Sequence, residues 1–503
     1  MCKKDHKKAA LRVVTTVLLS TIFVLSSCEM KYSTQVVPSA IPVNTQLTFP
    51  TDIPKSTATI DPTNTAEPTP TTDTFVKSDK TFYDYSVELD YNKHILYVEE
   101  TIKYINHTGN SIGELIIIVP PNSKEEVIKI KELRIDDVST DEYSLDGIIL
   151  TVPLSRTLEA EGSVEVYFNY ELTPAYNGGI LGYTKNQMNL SDWYPFIPPY
   201  DPDSGWVVNL PAEVGEYLVY DKANFSLILA ITGSDNVVVA SSTGAKPVAE
   251  DIYQMDSLNA RNLTFSVSNK YQEFSKQFGT TIVSAYVFEG DEDAGWAAIE
   301  NTGRALISFS ALFGEAYPNE TMTIVESDFP DGMEYDGLYY LSKTYFKAYN
   351  GTYENYLSLL SVHETAHQWW FAMVGSDQAN EPWLDEMLAT YSEYLYTEQF
   401  YPEFTDWWWD YRVNNYEPKG WVDKAIYDET DLRSYINTVY LQGASFMHEL
   451  RIALGDEAFF NGLKSYVAEN SDKNATWGVF LSTMGVDQSA EASNVVDRYF
   501  QSY

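Results

Sequence analysis

Two histidines and two glutamates are spaced for hydrolytic chemistry. In His363-Glu364-Thr365-Ala366-His367 the imidazoles stand four residues apart. On a helix that spacing brings both to one face about one turn apart, which suits two nitrogen ligands on a tetrahedral zinc. Glu386 follows, with residues 368 to 385 between it and His367. Two histidines and a glutamate leave zinc a fourth position open for water, as in catalytic rather than structural sites. Glu364, beside His363, is positioned to take that water's proton as general base and return it to the leaving amine. The plain alternative is a histidine pair lining a core, with Glu386 a solvated acid.

The elements that must hold these groups are legible in periodicity. Val362, Ala366, Trp369, Trp370 and Met373 form an apolar stripe that predicts a buried helix over 352–374. Pro382 suits a helix start, and Leu384, Leu388, Tyr391 and Leu395 line one side of a second helix over 382–399. Further helices are expected at 294–313 and 437–453, with strands over 280–288 and 321–326. Between Phe82 and Ser268 the pattern is instead period two, as in Ser163-Val164-Glu165-Val166-Tyr167-Phe168, broken by turn residues. The expected fold is therefore multidomain: an N-terminal antiparallel β-sandwich over 79–272, then an α+β domain over 273–503.

The metal motif with its eighteen-residue spacing resembles that of the aminopeptidase-N-like zinc metallopeptidases, a branch of the gluzincins. Asp331-Gly332-Met333-Glu334-Tyr335 resembles that family's Gly-x-Met-Glu-Asn exopeptidase signature. Val439-Tyr440-Leu441-Gln442-Gly443-Ala444 is similar to its oxyanion-stabilising segment, and Trp193-Tyr194-Pro195 to a stretch of its N-terminal β domain. The resemblance implies a thermolysin-like catalytic domain and one zinc per chain on His363, His367 and Glu386, with Glu364 as base. It further implies Tyr440 as oxyanion donor, and Glu334 with Gly332 and Met333 as the grip on the substrate's amino terminus. Three positions depart from the pattern: Tyr335 replaces asparagine, Met387 replaces glycine and Gln442 replaces lysine. Gln187 is a candidate for the N-domain residue that helps bind the amine. Since 63 residues follow Tyr440, a short form without the family's later domains is expected.

Upstream, Lys3, Lys4, Lys7, Lys8 and Arg12 precede an apolar run from Val13 to Leu25, the pattern of a secretory signal over 1–27. The segment ends Leu25-Ser26-Ser27-Cys28, which resembles a bacterial lipobox and implies acylation of Cys28 with fatty acids such as palmitate. Residues 28–78 are rich in Ser, Thr and Pro and read as a stalk. Localisation at the cell membrane, lipid-anchored on the extracytoplasmic face, is the expectation. A net charge of −39 would repel phosphate backbones, which excludes nucleic acid as a partner. With only Cys2 and Cys28, a disulfide scaffold is excluded as well. His94, His107 and His448 lack ligand-spaced companions, and Trp407-Trp408-Trp409 reads as core or interface. The leading reading is a zinc-dependent aminopeptidase that hydrolyses N-terminal residues from peptides by a Glu-activated, zinc-bound water. Its rivals are a thermolysin-like endopeptidase and a non-catalytic binding protein on the same fold.

Overall fold

Alternation of apolar and polar side chains makes the first half a sheet structure. In Phe82–Asp90 and Ile95–Ile105 nearly every second residue is buried, so one face of each strand meets a core. The two strands pair antiparallel with Val87 opposite Val98, and Phe82–Asp90 also pairs in parallel with Ala223–Thr232, Tyr85 opposite Leu227. They are the centre of an eight-stranded sheet whose other strands run antiparallel to their neighbours. Tyr85, Leu96, Phe168 and Leu227 of this sheet share one core with Leu190 and Phe265 of a five-stranded sheet and with Leu115 and Leu150 of a three-stranded one. The computed structural model describes residues 79–501. The signal segment 1–27, Cys28 and the stalk over 28–78 lie outside the described residues. Among those described, no helix is long and apolar enough to cross a membrane.

A second, five-stranded sheet carries the helical half. Its strand order is Gln272–Phe278, Thr281–Val287, Thr321–Ser327, Leu338–Ser342, Gly332–Tyr335. Thr321–Ser327 lies in the middle, parallel to both neighbours. Six of its seven residues are buried, as the two covered faces of a central parallel strand require. The edge is Gly332–Tyr335, which pairs antiparallel with Leu338–Ser342.

Helix Glu292–Phe313 packs on this sheet and on the motif helix, Tyr356–His367. Asn355 caps the motif helix, accepting from the Ser358 amide at 3.0 Å. Every residue from Leu357 to His367 is buried, so the helix runs through the core rather than along its surface. It does not continue regularly to residue 374: Gln368–Met373 unwinds into a wider π turn. Helix Trp383–Phe400 lies beside it and packs in turn on Gly443–Leu454. That contact accounts for Met387 in the place of glycine. The absent side chain is at Gly443, where a Cβ would collide with the Met387 side chain.

The two halves belong to one folded unit and are joined by buried charge. Arg261, 2% exposed, comes from the β half. Its Nε donates to the carbonyls of Phe371 (2.6 Å) and Ala372 (3.0 Å), and its Nη2 to that of Lys473 (2.8 Å). Its Nη1 donates to the Tyr220 carbonyl at 2.7 Å. Nearby, Lys222 Nζ meets Asp336 Oδ2 at 2.8 Å with both side chains buried.

Candidate metal centre and active site

The motif helix and the first turn of Trp383–Phe400 bring His363, His367 and Glu386 together. Their ligand atoms lie within 4.8 Å of one another. Glu386 Oε2 is 3.2 Å from His363 Nε2 and 3.6 Å from His367 Nε2, and all three side chains are buried. Each imidazole is held from behind by an acid. His363 Nδ1 is 2.9 Å from Glu393 Oε1, and His367 Nδ1 is 2.5 Å from Asp385 Oδ1. Glu393 is held in turn by Arg412, whose Nη2 donates at 2.9 Å and Nε at 3.0 Å, and by Trp408 Nε1 at 3.2 Å. Asp385 Oδ2 accepts from Gln378 at 2.7 Å. An imidazole that gives its Nδ1–H to a carboxylate directs the Nε2 lone pair forward, so both rings aim at Glu386 as a metal-binding pair must.

The charges call for a cation. Burial opposes a charge on His363, but its hydrogen bonds to Glu386 and Glu393 prevail and raise its pKa well above the usual imidazole range. Burial lowers that of His367. The carboxyls of Glu364 and Glu334 are pushed well above the ordinary range by burial, with Glu386 adding repulsion to both. Glu216 is raised to about 8 by burial and by the charges of Glu386 and Asp385. Three acids beside an acid–histidine pair form a site short of positive charge, and Arg412 is committed to Glu393. A donor set of two imidazoles and a carboxylate fits zinc in particular.

The metal centre opens into a cavity of about 460 Å³ bordered by Glu216, Glu334, Glu364, Arg433 and Tyr440. Glu364 Oε2 has no hydrogen-bond partner, and a Cβ at Gly332 would strike its Oε1. Gly332 therefore makes room for the acid, which answers why that strand begins with glycine. Met333 borders the same cavity, and Glu334 is only 4% exposed, accepting from Gln378 at 3.2 Å. Glu334, Glu364 and His367 form a second close triple that shares one histidine with the metal triple. Tyr440 sits on a π turn, Ile436–Gln442, with its ring stacked 5.9 Å from that of His363 and its hydroxyl facing Glu386.

The expected site residues within 79–501 thus converge, with one exception. Gln187 does not border the cavity: its amide donates to Asn189 and Tyr271 at 2.7 and 2.8 Å, and its carbonyl accepts from the Asp328 amide. The carboxylate that the β half does contribute is Glu216, in the irregular loop before Ala223–Thr232, with no spacing relative to the metal motif to betray it. Asp336, next after the edge strand, is the buried partner of Lys222. Asp385, Glu393 and Arg412 also escaped sequence reasoning. The first two stand one residue before and seven after Glu386, on the same helix, where a search for acids behind each histidine would have found them. Away from the cavity, His94 stacks on Tyr183, His107 bonds the Asp79 carbonyl and Glu161, and His448 packs among Tyr391, Tyr394 and Trp409.

A family profile described as "Peptidase family M1 domain" matches residues 297–499. Aminopeptidase M1-B of Oryza sativa subsp. japonica is 26% identical over 293 residues, 52% of this chain and 33% of the relative. Aminopeptidase N of Lactococcus lactis subsp. lactis is 30% identical over 149 residues, 27% and 18% of the two chains. The matched segments thus span a third or less of these relatives. An M1 zinc metallopeptidase from Deinococcus radiodurans, known from its crystal structure, superposes with a TM-score of 0.62 at 18% identity. That superposition covers 84% of this chain and 94% of the other, and shows a shared fold.

Proposed function

The chain belongs, through residues 297–499, to peptidase family M1 as an aminopeptidase-N-like gluzincin, and from that premise we propose that it removes N-terminal residues from peptides. His363, His367 and Glu386 would hold one zinc, which when bound supplies Lewis-acid polarisation of the scissile carbonyl and activation of water. The chain's own groups do the rest. Glu364 accepts the proton of the attacking water as the C–O bond forms, then delivers it to the amine nitrogen as the C–N bond breaks. Tyr440 donates a hydrogen bond to the developing oxyanion. Glu334 and Glu216 hold the substrate's ammonium, which fixes the first peptide carbonyl over the metal.

One observation carries the exopeptidase reading. Glu334 is a buried carboxyl on the edge strand, beside Glu364 and His367, with the neutral Gln378 amide as its hydrogen-bond partner. An amino terminus supplies the charge that it lacks. The test is a peptide library in free and N-acetylated forms, followed by mass spectrometry. Free-amine peptides should lose residues stepwise and acetylated ones should resist. Glu334→Ala should cost about 2 to 4 kcal/mol in transition-state stabilisation on the free peptides, about a thirtyfold to thousandfold loss in kcat/KM. Equal cleavage of both forms at internal bonds, untouched by Glu334→Ala, would establish an endopeptidase instead.

The enzyme is further proposed to sit on the extracytoplasmic face of the cell membrane through acyl chains on Cys28, supported by the signal segment and the stalk that follows it. Protein expressed from the full-length chain should partition into detergent and take up labelled fatty acid, and Cys28→Ala should do neither. A Cys28→Ala protein that still carries lipid would refute the anchor.

A further inference from the structure

A second cavity, of about 220 Å³, adjoins the metal cavity. Gly215, Glu216, Phe329, Met333 and Glu334 border both, so the two meet where the substrate's ammonium is held. Its remaining walls are largely apolar, Leu218, Ile180 and Phe371 among them. Away from the common border stands one carboxyl, Asp192, with Tyr220 and Tyr335. Asp192 Oδ1 accepts from the Tyr220 hydroxyl at 2.6 Å and Oδ2 from that of Tyr335 at 3.4 Å. Neither partner carries charge. Burial pushes the Asp192 carboxyl up to about 6 against the pull of these two hydrogen bonds. At neutral pH it is therefore an ionised acid at a cavity wall, hydrogen-bonded and without a counter-charge among those partners. Tyr335, the departure from the family's asparagine, is one of the two hydroxyls that hold it.

We infer that this cavity receives the side chain of the substrate's first residue and that Asp192 selects a long cationic one, lysine or arginine. This rests on the aminopeptidase reading, because only a substrate whose amino group lies at Glu334 presents its first side chain here. The methylene stem of lysine or arginine packs on Leu218, Met333 and Phe371, and its charged end makes a charge-assisted hydrogen bond with Asp192. Norleucine fills the same walls but leaves the carboxylate unmatched, while an acidic side chain meets a like charge at Asp192.

The test measures kcat/KM of the zinc-loaded full-length protein on chromogenic amides of lysine, arginine, norleucine and glutamate. Lysine and arginine should exceed norleucine at least about tenfold, with glutamate the poorest. Asp192→Asn should cut the lysine-to-norleucine ratio about tenfold or more, and Tyr335→Phe, which removes only a hydroxyl, should cut it a few-fold. Calorimetry of lysinamide against norleucinamide on the Glu364→Gln protein reads the same preference without turnover. A lysine-to-norleucine ratio at or below one in the unaltered protein overturns the inference, as does a ratio that neither variant moves. Efficient norleucine cleavage with no cationic preference sinks this inference alone. Failure to cleave any of the free-amine amides sinks the proposed function with it.

Discussion

The two sides of the metal cavity handle charge in opposite ways. On the histidine side each acid is bonded to an imidazole: Glu393, also held by Arg412 and Trp408, to His363, and Asp385, also held by Gln378, to His367. On the strand side Glu334 and Glu216, with Asp192 in the adjoining cavity, are acids whose hydrogen-bond partners are neutral. The first side is built to hold a metal and stay as it is. On the proposed reading the second is completed by the substrate's ammonium, which would divide retention of the metal from recognition of the peptide.

Three substitutions break or sharpen the contrast. The largest effect belongs between the two sides, at Glu364. Glu364→Gln should lower kcat by about a hundredfold or more while metal analysis still finds one zinc per chain, because it removes a proton acceptor and not a ligand. On the histidine side, Glu393→Gln should weaken zinc binding about tenfold to a hundredfold, measured by competition with a chelator, while KM of the metal-saturated protein stays near that of the unaltered one. A raised KM with unchanged metal affinity would erase the division between the sides. An effect of similar size is expected on stability. The pKa of Asp192 is raised to about 6 in the folded protein, so the native state keeps a proton that the unfolded chain has lost. The stability that this proton contributes is present at pH 4 and is lost as pH rises through 6. Asp192→Asn should abolish that loss and gain on the unaltered protein by on the order of 2 to 3 kcal/mol at pH 7, read from urea unfolding at both pH values.

What could be read from the sequence follows the same line. His363, His367 and Glu386 are legible because helix geometry converts a fixed spacing into a shared face, and the β half is legible because period two encodes one buried face. Glu216 and Asp192 are not, since they reach the cavities from the β half by tertiary packing that no local pattern records. The order of the second sheet is not legible for a related reason. Pairing is non-local, and the one local sign that Thr321–Ser327 is central, burial of both its faces, depends on neighbours that periodicity does not name. The π turns that follow His367 and carry Arg412 and Tyr440 escaped notice too, because an extra residue in a turn leaves the apolar pattern almost unchanged.

Arg261 gives the molecule a property that neither half has by itself. Its guanidinium ties a loop of the β half to the carbonyls of Phe371 and Ala372, in the turn that directly follows His367, a ligand of the candidate metal centre. A cation that tightens His367 therefore also tightens the anchor of the sheet. By mass action, occupancy of the centre raises the free energy of opening for the whole unit rather than for one helix. Metal loss and unfolding of the β half would then be coupled events, with the metal-free form the one more exposed to proteolysis.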